Sequence, residues 1–265
     1  MIRITKNVIW LTLCICTLCT TLYAEDKSSK AYNGPSDRLH VYLLIGQSNM
    51  AGRAPFTEAE SGVIDRCYLL NGEDLWEPAK NPLNRYSTIR KGLGMQKMNP
   101  GYTFSKMMLK NDQTISIGLV VNAKGGTKIE QWAKGSEFYK EALRRTRIAQ
   151  RSGTLKGILW HQGESNPKDP KYLVKLQTLI NNLRNDLDAP DLPFVAGQVN
   201  NDKVINDQIA ELPKTTPFTG FTTSDGLKAM DRWHFDTDSM KLLGKRYAKE
   251  MSRIQAAQKN DRAKK

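Results

Sequence analysis

Histidine and cysteine are both scarce in this chain. Only His40, His161 and His234 occur in 265 residues. They form no Cys/His cluster with metal-ligand spacing, so neither zinc nor any other cofactor is expected. Of four cysteines, Cys14, Cys16 and Cys19 fall in the first 24 residues and only Cys67 follows. That excludes an intrachain disulfide framework beyond the leader, and a chain of this length can instead bury a core large enough to hold itself together. No long apolar run recurs after Leu22, which excludes a polytopic membrane protein. Internal repeats and an interdomain linker are also absent. Acidic residues are outnumbered, 27 against 40 Lys and Arg, for a formal charge of +13. The basic residues are scattered, with no run interleaved with aromatics, so nucleic acid is not an expected partner.

What is present begins with a leader. Arg3 and Lys6 are followed by 18 residues without charge, up to Glu25. The apolar run Val8 to Leu22 ends near Ala24, a small residue at which cleavage is expected. This is the pattern of a secretory signal peptide over 1–24; retained, the same run would just suffice as a membrane anchor. The leader carries two basic residues and no acidic one, so its removal lowers the net charge from +13 to +11. The expected product is exported, periplasmic or extracellular, without stable membrane association. A polar lead-in over 25–37, one domain over 38–257 and a basic tail over 258–265 complete the layout.

Within the domain, short apolar runs alternate with amphipathic stretches. Runs at 40–45 (HVYLLI), 66–70 (RCYLL), 115–121 (ISIGLVV), 155–160 (LKGILW) and 193–199 (PFVAGQV) predict five strands. Helical spacing links Tyr172, Leu173, Leu176, Ile180, Leu183 and Leu187, then Met240, Leu243, Tyr247, Met251 and Ile254, and a further helix is expected over 136–150. Strand followed by helix, repeated, predicts an α/β fold: three layers, α/β/α, around a mostly parallel sheet of about five strands. The stretch Asn71–Gly101 is a long loop that could wall one side of a cleft.

In such sheets ligands bind outside the carboxyl ends of the strands, and four polar segments lie there or just before the last helix. Gly46-Gln47-Ser48-Asn49-Met50-Ala51-Gly52 follows the first strand; Ser48 reads as a nucleophile or as a helix cap, and Met50 rules out the G-x-S-x-G elbow. Lys124-Gly125-Gly126-Thr127 reads as an oxyanion turn or as an ordinary tight turn. His161-Gln162-Gly163-Glu164-Ser165-Asn166 sets polar groups at the end of a buried strand, where they need partners. Asp231-Arg232-Trp233-His234 spaces a carboxylate to reach the Nδ1–H of a histidine. Together these segments supply the parts of an acyl-transfer site.

The ordered blocks GQSNMAG (46–52), GGT (125–127), WHQGES (160–165) and DxxH (231–234) resemble the SGNH hydrolase superfamily, whose sheet is flavodoxin-like. Within it they are similar to the branch of carbohydrate esterase family 6 and the sialate O-acetylesterase-type domains. The resemblance implies Ser48 as nucleophile, His234 as general base and Asp231 as its orienting acid. It implies oxyanion donors from the Ser48 N–H, the Gly125–Gly126 turn and the side chain of Gln162, which stands where most of the superfamily has Asn. Glu164 is implied as a supporting acid for the histidine, alongside or instead of Asp231. Gln47, Asn49, Trp132, His161 and Trp233 are candidate substrate-binding residues. Lys124, Lys128, Gln131, Arg232 and Trp76 are candidate rim residues. Asn166 departs from the Asp common in this branch, and the segment Gly92 to Gly101 is expanded. The expected activity is hydrolysis of acetyl esters on a plant-type polysaccharide, acetylxylan foremost. The alternatives are a sialate O-acetylesterase and a non-catalytic glycan-binding module on the same fold.

Overall fold

The computed structural model describes residues 32–90, 92 and 94–263. The expected signal peptide and the first part of the lead-in lie outside the described residues. Seven strands form one sheet: β1 (Leu39–Gly46), β2 (Cys67–Leu70), β3 (Trp76–Pro78), β4 (Ser116–Val121), β5 (Thr154–His161), β6 (Phe194–Gly197) and β7 (Thr219–Thr222). Their order is β3-β2-β4-β1-β5-β6-β7, parallel throughout except for β3 at the edge. The helices are α1 (Ser48–Ala51), α2 (Gly101–Asn111), α3 (Glu137–Ala149), α4 (Tyr172–Asp186), α5 (Lys203–Thr215) and α6 (Thr237–Ala263).

The sheet thus has two strands more than the sequence led us to expect. Trp76-Glu77-Pro78 and Thr219-Gly220-Phe221-Thr222 are too short, and too mixed in composition, to read as apolar runs. At the C-terminal end α6 carries the helix through to Ala263, into the basic segment.

Side-chain alternation along β1 builds the three layers. Leu39, Val41, Leu43 and Ile45 enter a core with the apolar faces of α3, α4 and α5. Tyr42 and Leu44, on the opposite face, pack with those of α2 and α6. Both faces are therefore covered, as a parallel sheet requires. β1 sits in the middle, with β4 on one side and β5 on the other. The chain fills the β4 side first and then crosses to β5, which makes the carboxyl end of β1 the switch point where a crevice opens.

Candidate active site

Gly46 ends β1 at a positive φ of 134°, and a side chain there would collide with the His161 carbonyl. The glycine lets Gln47 N donate to His161 O at 2.8 Å, which seats the start of α1 against the end of β5. Ser48 is the first residue of α1 and is 5% exposed. Its hydroxyl caps nothing, since Gln47 holds the cap position. Ser48 instead faces a cleft of about 560 Å³ whose lining includes Gln47, Lys124, Gly125, Gly126, Trp233 and His234.

His234 arrives on the loop before α6. Asp236 caps that helix, its Oδ1 accepting from Ser239 N at 2.8 Å. Asp231 is left to serve the histidine. Its Oδ2 lies 2.7 Å from His234 Nδ1, and its Oδ1 accepts from the N–H groups of Trp233 and His234 at 2.8 Å each. Partial burial raises the Asp231 pKa, but the bonds from His234 and from the two N–H groups outweigh it and bring it down to about 2. A carboxylate anion fixed on Nδ1 leaves Nε2 as the basic nitrogen of the ring.

Three backbone N–H groups near Ser48 are free to donate. Ser48 N, Gly125 N and Gly126 N make no hydrogen bond to any described residue. Gly125 and Gly126 line the cleft next to Ser48, and the turn is pinned by Lys124 N to Gly46 O at 3.1 Å. Behind it, Thr127 Oγ1 accepts from Trp132 Nε1 at 3.1 Å.

Several residues expected at the cleft lie elsewhere. Gln162 is fully buried, and its Nε2 donates to Asn166 Oδ1, Thr127 O and Gln47 Oε1 at 2.8, 3.0 and 3.2 Å. It therefore braces the Gly125–Gly126 turn from beneath and does not reach the cleft. The side-chain amide on the cleft wall belongs to Gln47. Its Oε1 is held by Gln162, Gly163 N and Ser165 N, and its Nε2 meets no described acceptor. Trp132 is core, with its ring against Trp160 and Phe138. Trp76 is core too and donates to Ser152 Oγ at 2.7 Å. His161 is fully buried: Tyr247 Oη donates to Trp160 O, so it accepts from His161 Nδ1–H at 3.1 Å. Lys128 and Gln131 line a neighbouring depression that shares Ser165 with the cleft.

Glu164 does not touch His234. Its Oε1 accepts from Asn49 Nδ2 at 2.8 Å and lies 3.7 Å from His161 Nε2. Asn49 is fully buried and acts as a clamp between loops rather than as a sugar contact. Asn166 likewise points inward, bonding Glu130 and Ile129 N. Trp233 is 44% exposed beside His234, with the Arg232 guanidinium over its ring at 5.6 Å. Arg53, Arg90 and Met95 also line the cleft. Arg90 and Met95 come from the long loop after β2, which does wall the cleft. Nothing in their local sequence set these residues apart.

The family described as carbohydrate esterase, sialic acid-specific acetylesterase, matches residues 38–253. The chain belongs to this family. It is a carboxylic ester hydrolase acting on acetylated carbohydrate. The probable carbohydrate esterase At4g34215 of Arabidopsis thaliana is 30% identical over 246 residues, which cover 83% of this chain and 92% of the relative. The X-ray structure of that Arabidopsis protein superposes with a TM-score of 0.72 at 28% identity, covering 82% of this esterase and 98% of the other. XAC1771, described as a carbohydrate acetylesterase from Xanthomonas citri, shares the fold with a TM-score of 0.57 at 20% identity, covering 81% of this esterase and 56% of that chain.

Proposed function

We propose that this esterase is exported and removes acetyl groups from a plant-type polysaccharide, acetylxylan foremost, by a serine acyl-enzyme mechanism. The observation that carries the chemistry is the 2.7 Å contact of Asp231 with His234 Nδ1 in the cleft that Ser48 faces. Ser48 Oγ attacks the acetyl carbonyl carbon while His234 Nε2 takes its proton. The oxyanion is met by the N–H groups of Ser48 and the Gly125–Gly126 turn, donors worth about 3 kcal/mol each in such sites. The sugar oxygen leaves with the proton from His234, and an acetyl group stays on Ser48. Water then attacks the acetyl-enzyme, with His234 again as base, and releases acetate.

Two features support a sugar at this site. The cleft is open, and the exposed face of Trp233 stands beside the base, where a pyranose ring can stack. A second reading, a sialate O-acetylesterase, is favoured by the family description and by the cationic residues of the cleft.

Acetate release from acetylated xylan, mannan, pectin and O-acetylated sialic acid, with Ser48→Ala in parallel, tests both readings. Release from xylan by the wild type and not by the variant supports the first. Release from sialic acid alone selects the second. More than a few per cent of wild-type turnover in the variant would defeat the mechanism.

A further inference from the structure

Three cations line the cleft, Arg53, Arg90 and Lys124, and none has an ion-pair partner among the described residues. Some basic groups elsewhere in this protein do find acids. Arg85 pairs with Glu77, Arg144 with Asp74 and Glu141, Lys175 with Glu130 and Asp169, and Lys241 with Glu60. Lys124 rests its ammonium over the Phe138 ring at 4.9 Å. The two arginines have no such relief. Arg53 uses Nη1 on the carbonyls of Gly52 and Met95, at 2.8 and 3.1 Å, and its Nη2 donates to no described residue. Among the described residues Arg90 reaches only the Gly92 carbonyl, through Nε at 3.4 Å, and its buried Nη1 finds no partner.

The position of Arg53 matters as much as its charge. A Cβ on Gly125 would lie 2.7 Å from Arg53 Nη2 and 3.5 Å from Ser48 Cβ. The missing side chain lets the guanidinium press against the oxyanion turn, within a residue's width of the nucleophile. Burial works against both charges, and Arg90 opposes that of Arg53 besides. Glu164 also lines the cleft; its Oε1 accepts from Asn49, and its buried Oε2 has no partner among the described residues. An acetyl ester is neutral and needs only a transient anion held, which the backbone N–H groups already provide. Two half-buried guanidinium groups exceed that need. Planar forks with free N–H groups are the chemistry that takes a carboxylate bidentately.

We propose that Arg53 and Arg90 form a receptor for a substrate carboxylate, so that the preferred substrate is an acetyl ester on an acidic sugar. This rests on the esterase reading above. The carboxylate can belong to a uronic acid residue of a polysaccharide or to a sialic acid.

The test uses four substrates: an O-acetylated methyl glucuronoside and O-acetylated N-acetylneuraminate, each as free acid and as carboxyl methyl ester. 4-Nitrophenyl acetate serves as neutral control. In the wild type kcat/KM for at least one free acid exceeds that of its methyl ester by about tenfold or more at low salt, and the ratio shrinks as salt screens the charge. In Arg90→Gln the ratio falls towards one. Arg53→Lys keeps the charge but loses the fork, and lowers the ratio as well. The ratio is read within each protein, so general damage to a variant does not mimic the result. The arm that shows the preference identifies the sugar. Equal rates for acid and ester in the wild type, or an unchanged ratio in Arg90→Gln, would overturn the receptor and leave the esterase standing. Absence of turnover on every substrate, the aryl acetate included, would overturn the esterase reading and the receptor with it.

Discussion

Asn49 holds the backbone on both sides of His234. Its Oδ1 accepts from Phe235 N at 3.2 Å, and its Nδ2 donates to Trp233 O at 2.9 Å. The same Nδ2 donates to Glu164 Oε1 at 2.8 Å. Asn49 follows Ser48 directly, so one buried amide ties Ser48 to the loop of His234 and to the loop after β5. The relative placement of Ser48 and His234 therefore depends on a residue that touches no substrate.

Asn49→Ala should loosen that placement. It leaves Phe235 N, Trp233 O and Glu164 without their partner, and an orphaned buried polar group costs about 1–3 kcal/mol. A loss of about 3 kcal/mol overall, read as a lower Tm, is expected. Misplacement of the base should lower kcat about 10²-fold, with KM changing much less. Wild-type Tm together with wild-type kcat would show that the clamp is idle.

Asp231 and Glu164 can be told apart by removing one charge at a time. Asp231 contacts His234 directly, whereas Glu164 reaches it only through Asn49. Asp231→Asn should cost roughly 10³-fold in kcat, below the ~10⁴ of a fully buried triad acid because this carboxylate is 48% exposed. Glu164→Gln keeps the oxygen that Asn49 donates to and should cost less than about tenfold, the worth of one ordinary hydrogen bond. A larger loss in Glu164→Gln than in Asp231→Asn would reverse the assignment.

Much of this architecture was legible in the sequence, for reasons that also mark where legibility stopped. β1, β4, β5 and β6 are buried on both faces, so each reads as an apolar run, and α4 and α6 show their buried stripes at helical spacing. β3 and β7 owe their strand form to pairing with neighbours, which no local pattern announces. Ser48, Gly125, Asp231 and His234 stood out because polar and Gly-rich segments at strand ends and before the last helix are unusual in a core-building chain. Gln162 belongs to the same block of motif but points down. Motif order says which residues meet, not which way each side chain faces. Trp132 and Trp233 look alike in sequence, yet one supports the oxyanion turn from the core and the other is exposed beside the base. Arg53 and Arg90 share no periodicity and meet only because two loops converge on the end of β1.

The acid limb of the pH profile should report a single proton. The bonds that depress Asp231 favour its anion in the folded protein, so their contribution is in place above the ordinary carboxylate range and is lost only as pH falls through about 2. Above about pH 4 Asp231 is therefore an anion throughout, and activity lost there does not come from its protonation. Log kcat/KM should fall with a slope of one. A slope of two above about pH 4 would mean that Asp231 titrates there and is not held as an anion.

Export can be tested by counting thiols. Cys67, buried in the layer of α2 and α6, has its thiol pushed by desolvation up to about 12, so in the folded protein it is neither accessible nor ionised. The other three cysteines all lie in the first 24 residues. Protein secreted from the full-length gene and cleaved after the leader should therefore show no thiol reactive with a disulfide reagent when native, and one per chain in denaturant. Intact mass should fall by residues 1–24 in the same sample. Four thiols in denaturant, with the full-length mass, would mean that the leader is retained and would replace an exported soluble enzyme with an anchored one.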